Sequence, residues 1–120
     1  MQKMRERRSG MITISLCMIV KNEERILKRC LDSVRDLVDE IIIVDTGSTD
    51  ATKWIAAGYT DKIYDFTWND DFSAARNFAF SKATKEYIYS ADADEVLSEE
   101  NRRRFRLLKE TLLPDRKSTR

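Results

Sequence analysis

The sequence has 120 residues, of which 42% are hydrophobic and 36% are charged, as expected for one globular domain or part of one. No apolar run approaches the roughly 20 residues of a membrane-spanning helix, and we expect no signal peptide because no apolar segment follows the basic N-terminal residues. The absence of histidine excludes His-based catalytic triads and His-ligated zinc, and two cysteines are too few for a Cys₄ site. A cytoplasmic setting fits best, with association to the cytoplasmic face of a membrane left open.

Charge is unevenly distributed along the chain. Residues 1–10 carry a net charge of +3 and residues 102–120 carry +6, whereas residues 11–101 carry −8. An acidic body repels nucleic acid, so we expect no nucleic-acid partner. It can still bind a polyanionic ligand when a metal ion is recruited first. The basic ends are interpreted as solvated tails or as one face of a helix.

Strands and helices are predicted to alternate, behind a disordered leader over residues 1–10. In chain order the elements are a strand Met11–Val20, a helix with apolar positions from Ile26 to Val38, a strand Glu40–Asp45, a short helix reaching Ala57, a strand Lys62–Phe66, a helix Phe72–Thr84, a strand Tyr87–Ala91 and a last helix that stops at Pro114. The predicted N-caps are Asn22, then Ser48 or Asp50, and finally Ser98. Gly58 is predicted to end the second helix in the left-handed conformation.

This alternation predicts an α/β fold, with a Rossmann-like, open, mainly parallel sheet and helices on both faces. The domain is expected over residues 11–113, with residues 114–120 as a tail. Ligands of such sheets bind beyond the carboxyl ends of the strands. Three polar clusters directly follow predicted strands, namely Lys21–Glu23, Asp45–Ser48 and Asp92–Glu95. We therefore expect these clusters to meet along one edge of the sheet.

The pair Asp92 and Asp94 is the strongest chemical signal at this edge. Two carboxylates one residue apart on a tight turn can converge on Mg²⁺ or Mn²⁺, which proteins typically hold by one or two carboxylates together with substrate phosphates. The alternative is that this turn only caps the following helix.

Asp45 lies before a Gly-Ser-Thr turn and has two open interpretations. Its carboxylate can accept hydrogen bonds from a base or a ribose, while Gly47 allows close approach of the backbone. It can equally be an Asx-turn residue that ties the loop. No phosphate-binding glycine pattern accompanies it.

Arg76 lies among alanines on a predicted helix, where a buried guanidinium needs an anionic partner. That partner is either a carboxylate such as Asp45 or Asp71, in a structural salt bridge, or a bound nucleotide. Aromatic residues surround this segment, and we favour core and loop anchoring for them over base stacking; they are Tyr64, Phe66, Trp68 and Phe72.

Four segments resemble, in order, the motifs of family 2 glycosyltransferases. They are ISLCMIVKNEE (14–24), EIIIVDTGSTD (40–50), FTWNDDFSAARN (66–77) and ADADE (91–95). The third is similar to a bacterial branch that includes lipopolysaccharide-core glucosyltransferases and peptide S-glycosyltransferases. The resemblance implies the nucleotide-binding half of a glycosyltransferase-A fold, a nucleotide-diphosphate-sugar donor with a UDP-sugar favoured, and Mn²⁺ or Mg²⁺.

The resemblance also implies roles for particular residues. Asp94 would be the main ligand of the metal on the diphosphate, and Asp92 would touch the ribose and also ligate the metal. Asp45 would contact the base, and Arg76 the pyrimidine or the diphosphate. The other positions implied in nucleotide-sugar binding are Val20, Asn22, Glu23, Gly47 and Ser48.

One departure from the family concerns the acceptor half. In the family, a further part of the catalytic domain supplies the acceptor site and, in inverting members, the general base, and nothing after Glu100 resembles it. We therefore expect a donor-binding half, an unidentified acceptor and an open sheet edge that favours self-association. The alternative is a non-catalytic nucleotide-diphosphate or metal-binding module that is truncated or completed by another chain. A phosphotransfer enzyme is disfavoured, because the loop after Asp45 lacks the second aspartate of aspartate-nucleophile phosphatases.

Overall fold

The computed structural model describes residues 12–111 and 118–119. Strands and helices alternate as β1 (Ile14–Val20), α1 (Leu27–Val34), β2 (Glu40–Asp45), α2 (Thr52–Ala56), β3 (Ile63–Asp65), α3 (Phe72–Lys82), β4 (Tyr87–Ser90), α4 (Glu99–Thr111) and β5 (Ser118–Thr119). All strands are parallel, in the order β3-β2-β1-β4-β5. The predicted parallel α/β sheet is therefore confirmed. The predicted leader and the stop at Pro114 lie outside the described residues, and β5 falls within the predicted tail.

Both faces of the sheet are covered by helices, because alternate residues of the central strands point to opposite sides. On one face Leu16 of β1 and Ile43 of β2 pack with Leu31 of α1. On the other face Ile42 and Val44 of β2 pack against Ala79 of α3. Continuous burial of β1 and β2 on both sides explains why their sequences read as unbroken apolar runs.

Register brings the polar clusters to one level. β1 and β2 pair from Ser15 opposite Glu40 to Val20 opposite Asp45, so both strands end together. β4 ends at Ser90, opposite Cys17, and the amide of Ala91 still donates to the Cys17 carbonyl at 3.4 Å. The Asp92–Glu95 cluster therefore follows β4 beside the end of β1.

Three predicted helix ends are wrong. α1 begins at Leu27 rather than next to Asn22, which has a positive φ of 53° and therefore does not cap it. Gly58 is not left-handed; its amide donates to the Ile55 carbonyl at 3.0 Å in an ordinary helical end. Neither Ser48 nor Asp50 is the N-cap of α2; that residue is Ala51, and the Asp50 carboxylate, one residue earlier, accepts from the Thr52 amide at 2.9 Å.

The predicted cap of the last helix is confirmed. The Ser98 hydroxyl accepts from the amide of Asn101 at 3.1 Å, and Glu99 and Glu100 lie in the first turn of α4. No helix in the described part of the chain is long and apolar enough to cross a membrane.

Candidate functional site

The loops after β1 and β2 are tied to each other by reciprocal hydrogen bonds. The Asn22 amide donates to the Ser48 hydroxyl, and the Asn22 side-chain oxygen accepts from the Thr49 amide, both at 2.8 Å. The positive φ of Asn22, which asparagine tolerates, turns the chain so that both bonds form. Asn22 and Ser48, predicted to contact a ligand, thus use these polar atoms to hold one loop against the other.

A second set of bonds extends this connection toward α2. The Glu23 amide donates to the Thr52 hydroxyl at 2.8 Å, and the Ala51 amide donates to the Glu24 carboxylate at 2.9 Å. Thr52 is fully buried. Sequence reasoning missed Thr52, because nothing local distinguishes it from a helix threonine that faces solvent.

Asp45 is buried, with 2% of its surface exposed, and its two carboxylate oxygens have different environments. Oδ1 accepts from the amides of Gly47 and Ser48 at 2.9 and 2.7 Å, which is the Asx-turn arrangement. Oδ2 is buried without a hydrogen-bond partner in the described part of the chain. A buried carboxylate oxygen without a donor is costly, so Asp45 carries an unused acceptor that is closed off from solvent.

Gly47 has a φ of +117°, which only glycine adopts without strain, and a Cβ built there would meet nothing within 4 Å. Glycine is thus needed for the backbone angle of the Asp45 turn and not to relieve crowding. The space beside it stays open.

The turn after β4 presents two carboxylates to solvent. Asp92 and Asp94 are exposed, whereas Ala91 and Ala93, which alternate with them, are buried, so both acids lie away from the core. The Glu95 amide closes the turn by donating to the Asp92 carbonyl at 3.0 Å. Neither carboxylate accepts a hydrogen bond from the described residues, so the alternative of helix capping does not occupy them; Ser98 performs that task.

The acids of the three loops lie close enough to influence one another. Burial raises the pKa of Glu23, and the negative charges of Asp94, Asp50 and Asp92 raise it further. Burial also raises the pKa of the Cys30 thiol, to about 11, with added contributions from Glu95, Asp94 and Asp92. The pKa of Glu23, which follows β1, thus depends on acids that follow β2 and β4, as expected if the three clusters share one edge.

The residues fit a divalent metal only in part. No group of three or more acidic or sulfur side chains in the described ranges is arranged to enclose an ion. Asp92 and Asp94 instead match an open arrangement in which one or two carboxylates hold Mg²⁺ or Mn²⁺ and substrate phosphates complete the coordination.

A cavity of about 250 Å³ opens at the same edge, and the ends of β1 and β2 contribute to its lining. Lining residues from the ends of these strands and the positions just after them are Ile19, Val20, Lys21, Glu23 and Thr46, and Trp68 and Phe72 complete the lining. Tyr64 and Phe66, not part of this lining, pack with Phe78 of α3, as expected for anchors. Trp68 and Phe72 are not core residues, since they are 41% and 45% exposed, but the Trp68 indole still bonds within its own loop, to Asp70.

Arg76 is exposed, so its predicted burial is wrong, and neither Asp45 nor Asp71 forms an ion pair with it. Its guanidinium carbon instead lies 4.8 Å from the centroid of the Phe72 ring. The alanines beside it belong to a different face of α3, since Ala75 and Ala79 are the buried positions. Asp71 caps the helix by accepting from the Ala74 amide at 3.1 Å.

Comparison with known families identifies the family of this chain. The model of glycosyl transferase family 2 matches residues 15–105. The chain belongs to this family. A TPR repeat-containing protein of Synechococcus elongatus is 52% identical over 89 residues, which are 74% of this chain and 22% of that protein.

Two further relatives are named as glycosyltransferases. The SPbeta prophage-derived glycosyltransferase SunS of Bacillus subtilis is 45% identical over 92 residues, 75% of this chain and 22% of SunS. An uncharacterised glycosyltransferase of Rickettsia typhi is 38% identical over 87 residues, 72% of this chain and 30% of that protein. The chain thus spans less than a third of the length of these family 2 relatives.

Solved structures confirm the glycosyltransferase-A fold. Glucosyl-3-phosphoglycerate synthase of Mycobacterium tuberculosis, in complex with Mn²⁺ and UDP-glucose, has a TM-score of 0.61 and 24% identity, covering 71% of this chain and 34% of that one. The same enzyme with Mg²⁺ and UDP gives the same TM-score and coverage. At this identity the likeness establishes the fold alone.

Proposed function

We propose that this chain is the donor-binding half of a metal-dependent, inverting glycosyltransferase that transfers a sugar from a nucleotide-diphosphate-sugar, with a UDP-sugar favoured. The observation that carries the proposal is the pair of exposed, unbonded carboxylates of Asp92 and Asp94, at the strand edge of a family 2 chain. Structural neighbours of the same fold hold Mn²⁺ with UDP-glucose and Mg²⁺ with UDP, which supports the choice of donor and metal.

The strand order suggests how a donor lies along the edge. β4 and β2 flank β1, so two strand spacings, about 10 Å, separate the Asp92–Asp94 turn from the Asp45 turn. An extended nucleoside diphosphate can bridge such a span with its base near β2 and its phosphates near β4. The cavity over β1 and β2 would take the nucleoside end.

Asp94 is proposed as the main metal ligand, with Asp92 beside it and toward the ribose. When bound, Mn²⁺ or Mg²⁺ would neutralise charge on the departing nucleoside diphosphate. The two carboxylates would hold the metal ion at a fixed place. Because they accept no hydrogen bonds from the described residues, their oxygens are accessible to the ion.

The remaining predicted residues divide into two groups. Asp45, through Oδ2, and Arg76, through its exposed guanidinium, are proposed to contact the nucleotide, and Val20 and Glu23 to line its pocket. Asn22, Ser48 and Gly47 are proposed to act mainly by fixing the loops that carry these contacts.

The acceptor and the general base are proposed to belong to parts of the enzyme outside this chain, since the relatives are more than three times the length of the matched region. We also propose a cytoplasmic setting, no nucleic-acid partner and self-association through the open edge of the sheet, where β3 is the outermost strand among the described residues.

Calorimetric titration tests the proposed donor class. UDP, GDP and UDP-glucose are titrated into the chain with Mn²⁺ and, in parallel, with EDTA. We expect UDP and UDP-glucose to bind with Mn²⁺ and to bind far more weakly with EDTA. Absence of binding by every nucleotide under both conditions would contradict the proposal. Binding without any transfer in the full-length enzyme would favour the non-catalytic module instead.

A further inference from the structure

Trp68 and Phe72, hereafter the aromatic wall, line the same cavity as the ends of β1 and β2. We infer that the aromatic wall is the surface on which the base of the bound nucleotide stacks, with Trp68 as its main contributor. This inference rests on the proposed function and deepens it, because it assigns residues that neither the fold nor the strand-end motifs require.

The loop that carries the aromatic wall is held in place by its own hydrogen bonds. The Trp68 indole N–H donates to Oδ1 of Asp70 at 3.1 Å, and the Asp71 amide donates to the Asn69 side chain at 3.1 Å. Asp70 takes a positive φ of 64°, which reverses the chain between the two rings. Trp68 is therefore restrained at the cavity although 41% of its surface is exposed.

The chemistry of the cavity suits a flat, partly polar ligand. Its lining combines two large rings with apolar and polar groups at the strand ends, among them Val20, Lys21 and Thr46. Large aromatic rings that are exposed side by side in a cavity keep apolar surface in contact with water. A planar ligand stacked on them would bury that surface, which is favourable. The base is the planar part of a nucleoside diphosphate, and its stacking on aromatic side chains is favourable for every base because each has a π face.

Charge is placed to match the rest of that ligand. The Arg76 guanidinium lies 4.8 Å from the Phe72 ring centroid, so a cation adjoins the wall. Asp94 lies beyond β1 on the β4 side, where a metal-bound diphosphate is proposed. A nucleotide with its base on the aromatic wall would thus direct its phosphates toward the Asp92–Asp94 turn.

Affinity measurements with matched tryptophan variants test the inference. Trp68→Ala should weaken UDP binding in Mn²⁺ about tenfold or more, the loss typical of one stacked base, and should weaken GDP binding similarly. Trp68→Phe should retain most of the affinity, because a ring remains. The control is Trp54→Ala, since Trp54 is 80% exposed on α2 and does not line the cavity.

Fluorescence provides a second readout that does not depend on a destabilising change. The chain has two tryptophans, so Trp54→Phe leaves Trp68 as its single indole. UDP with Mn²⁺ should quench or shift its emission in proportion to saturation. In the Trp68→Phe variant, where only Trp54 emits, the same titration should leave the signal unchanged.

The outcomes separate this inference from the function on which it rests. If UDP binds the parent chain but Trp68→Ala binds it equally well and Trp68 emission does not respond, the aromatic wall is not the base site, while the proposed function stands. If the parent chain binds no nucleotide at all, the proposed function fails and the inference fails with it.

Discussion

Glu40 joins four hydrogen-bond donors at the end of the sheet opposite the candidate site. Its carboxylate, 6% exposed, accepts from Ser15, from the amide and hydroxyl of Thr84, and from Lys62. Burial alone would raise the pKa of Glu40, but hydrogen bonds from Lys62, Ser15 and Thr84 outweigh it and lower the pKa to about 2. The ionised form is therefore favoured by folding.

This linkage predicts a pH dependence of stability. Because the pKa in the folded chain is below the ordinary value of 4.5, the contribution of Glu40 is complete above that pH and is lost as pH falls toward 2. It amounts to about 3 kcal/mol. Glu40→Gln should lower the melting temperature at pH 7 and flatten its decline between pH 5 and 3. The exposed Asp61→Asn is the control, and an unchanged acid profile in Glu40→Gln would contradict the assignment.

Arg76 is predicted to affect binding more than stability. Its exposure and its lack of an ion pair in the described part of the chain mean that Arg76→Lys should leave the melting temperature nearly unchanged. The same change should weaken UDP binding about tenfold, because a lysine lacks the planar guanidinium and a charge-assisted contact contributes about 1.5–3 kcal/mol. Calorimetry and thermal melting of the same sample test both parts. Unchanged affinity would remove Arg76 from the site.

At the level of elements, the loops after β1 and β2 depend on Asn22. Asn22→Gly keeps a residue that tolerates the φ of 53° but removes the acceptor of the Thr49 amide. We expect a loss of about 1 kcal/mol and faster hydrogen exchange at Thr49. Asn22→Ala should cost more, because it adds backbone strain to the lost bond.

Both variants lack the bond to the Thr49 amide, so the difference in stability between them measures the backbone strain at the φ of 53°. If the Thr49 amide exchanged at the parent rate in both variants, the two loops would not be held together by this bond. The Ser48→Ala variant, which removes the acceptor of the Asn22 amide, provides an independent check on the same connection.

The sequence predicts the elements well where periodicity is local and poorly where the ends depend on distant partners. β2 is found over Glu40–Asp45 as predicted. A central strand of a parallel sheet is buried on both faces, so it shows in the sequence as a short continuous apolar run. Asparagine is a favoured N-cap residue, so its place before a helical pattern predicts a cap at Asn22. In the structure, the Asn22 side chain instead accepts from the amide of Thr49, 27 residues away. Such a partner cannot be read from neighbouring residues.

The candidate site shows the same division. The Asp92–Asp94 turn could be predicted, since alternation along a strand end fixes which residues face outward. The exposure of Trp68 and of Arg76 could not be predicted, because both have apolar neighbours in the sequence. Trp68 lies in a loop, where its indole bonds to Asp70, and Arg76 lies on the exposed face of α3.

For the whole molecule, we expect binding of the nucleotide-sugar donor without efficient transfer of its sugar. The chain matches 22% of SunS and of the Synechococcus relative, and no acceptor-half motif follows Glu100. Purified chain with UDP-glucose and Mn²⁺ should release UDP to water or to added acceptors only negligibly. Rapid transfer to any acceptor by this chain alone would show that it contains a complete catalytic centre.

Electron paramagnetic resonance of Mn²⁺ tests whether Asp94 holds a divalent metal together with the nucleotide. With UDP present, the parent chain and an Asp61→Ala control, which removes an exposed carboxylate at the opposite end of the sheet, should deplete the free Mn²⁺ signal beyond the depletion caused by UDP alone. Asp94→Ala should abolish that additional depletion. If Asp94→Ala depleted free Mn²⁺ as strongly as the parent chain, the metal would not be held by Asp94.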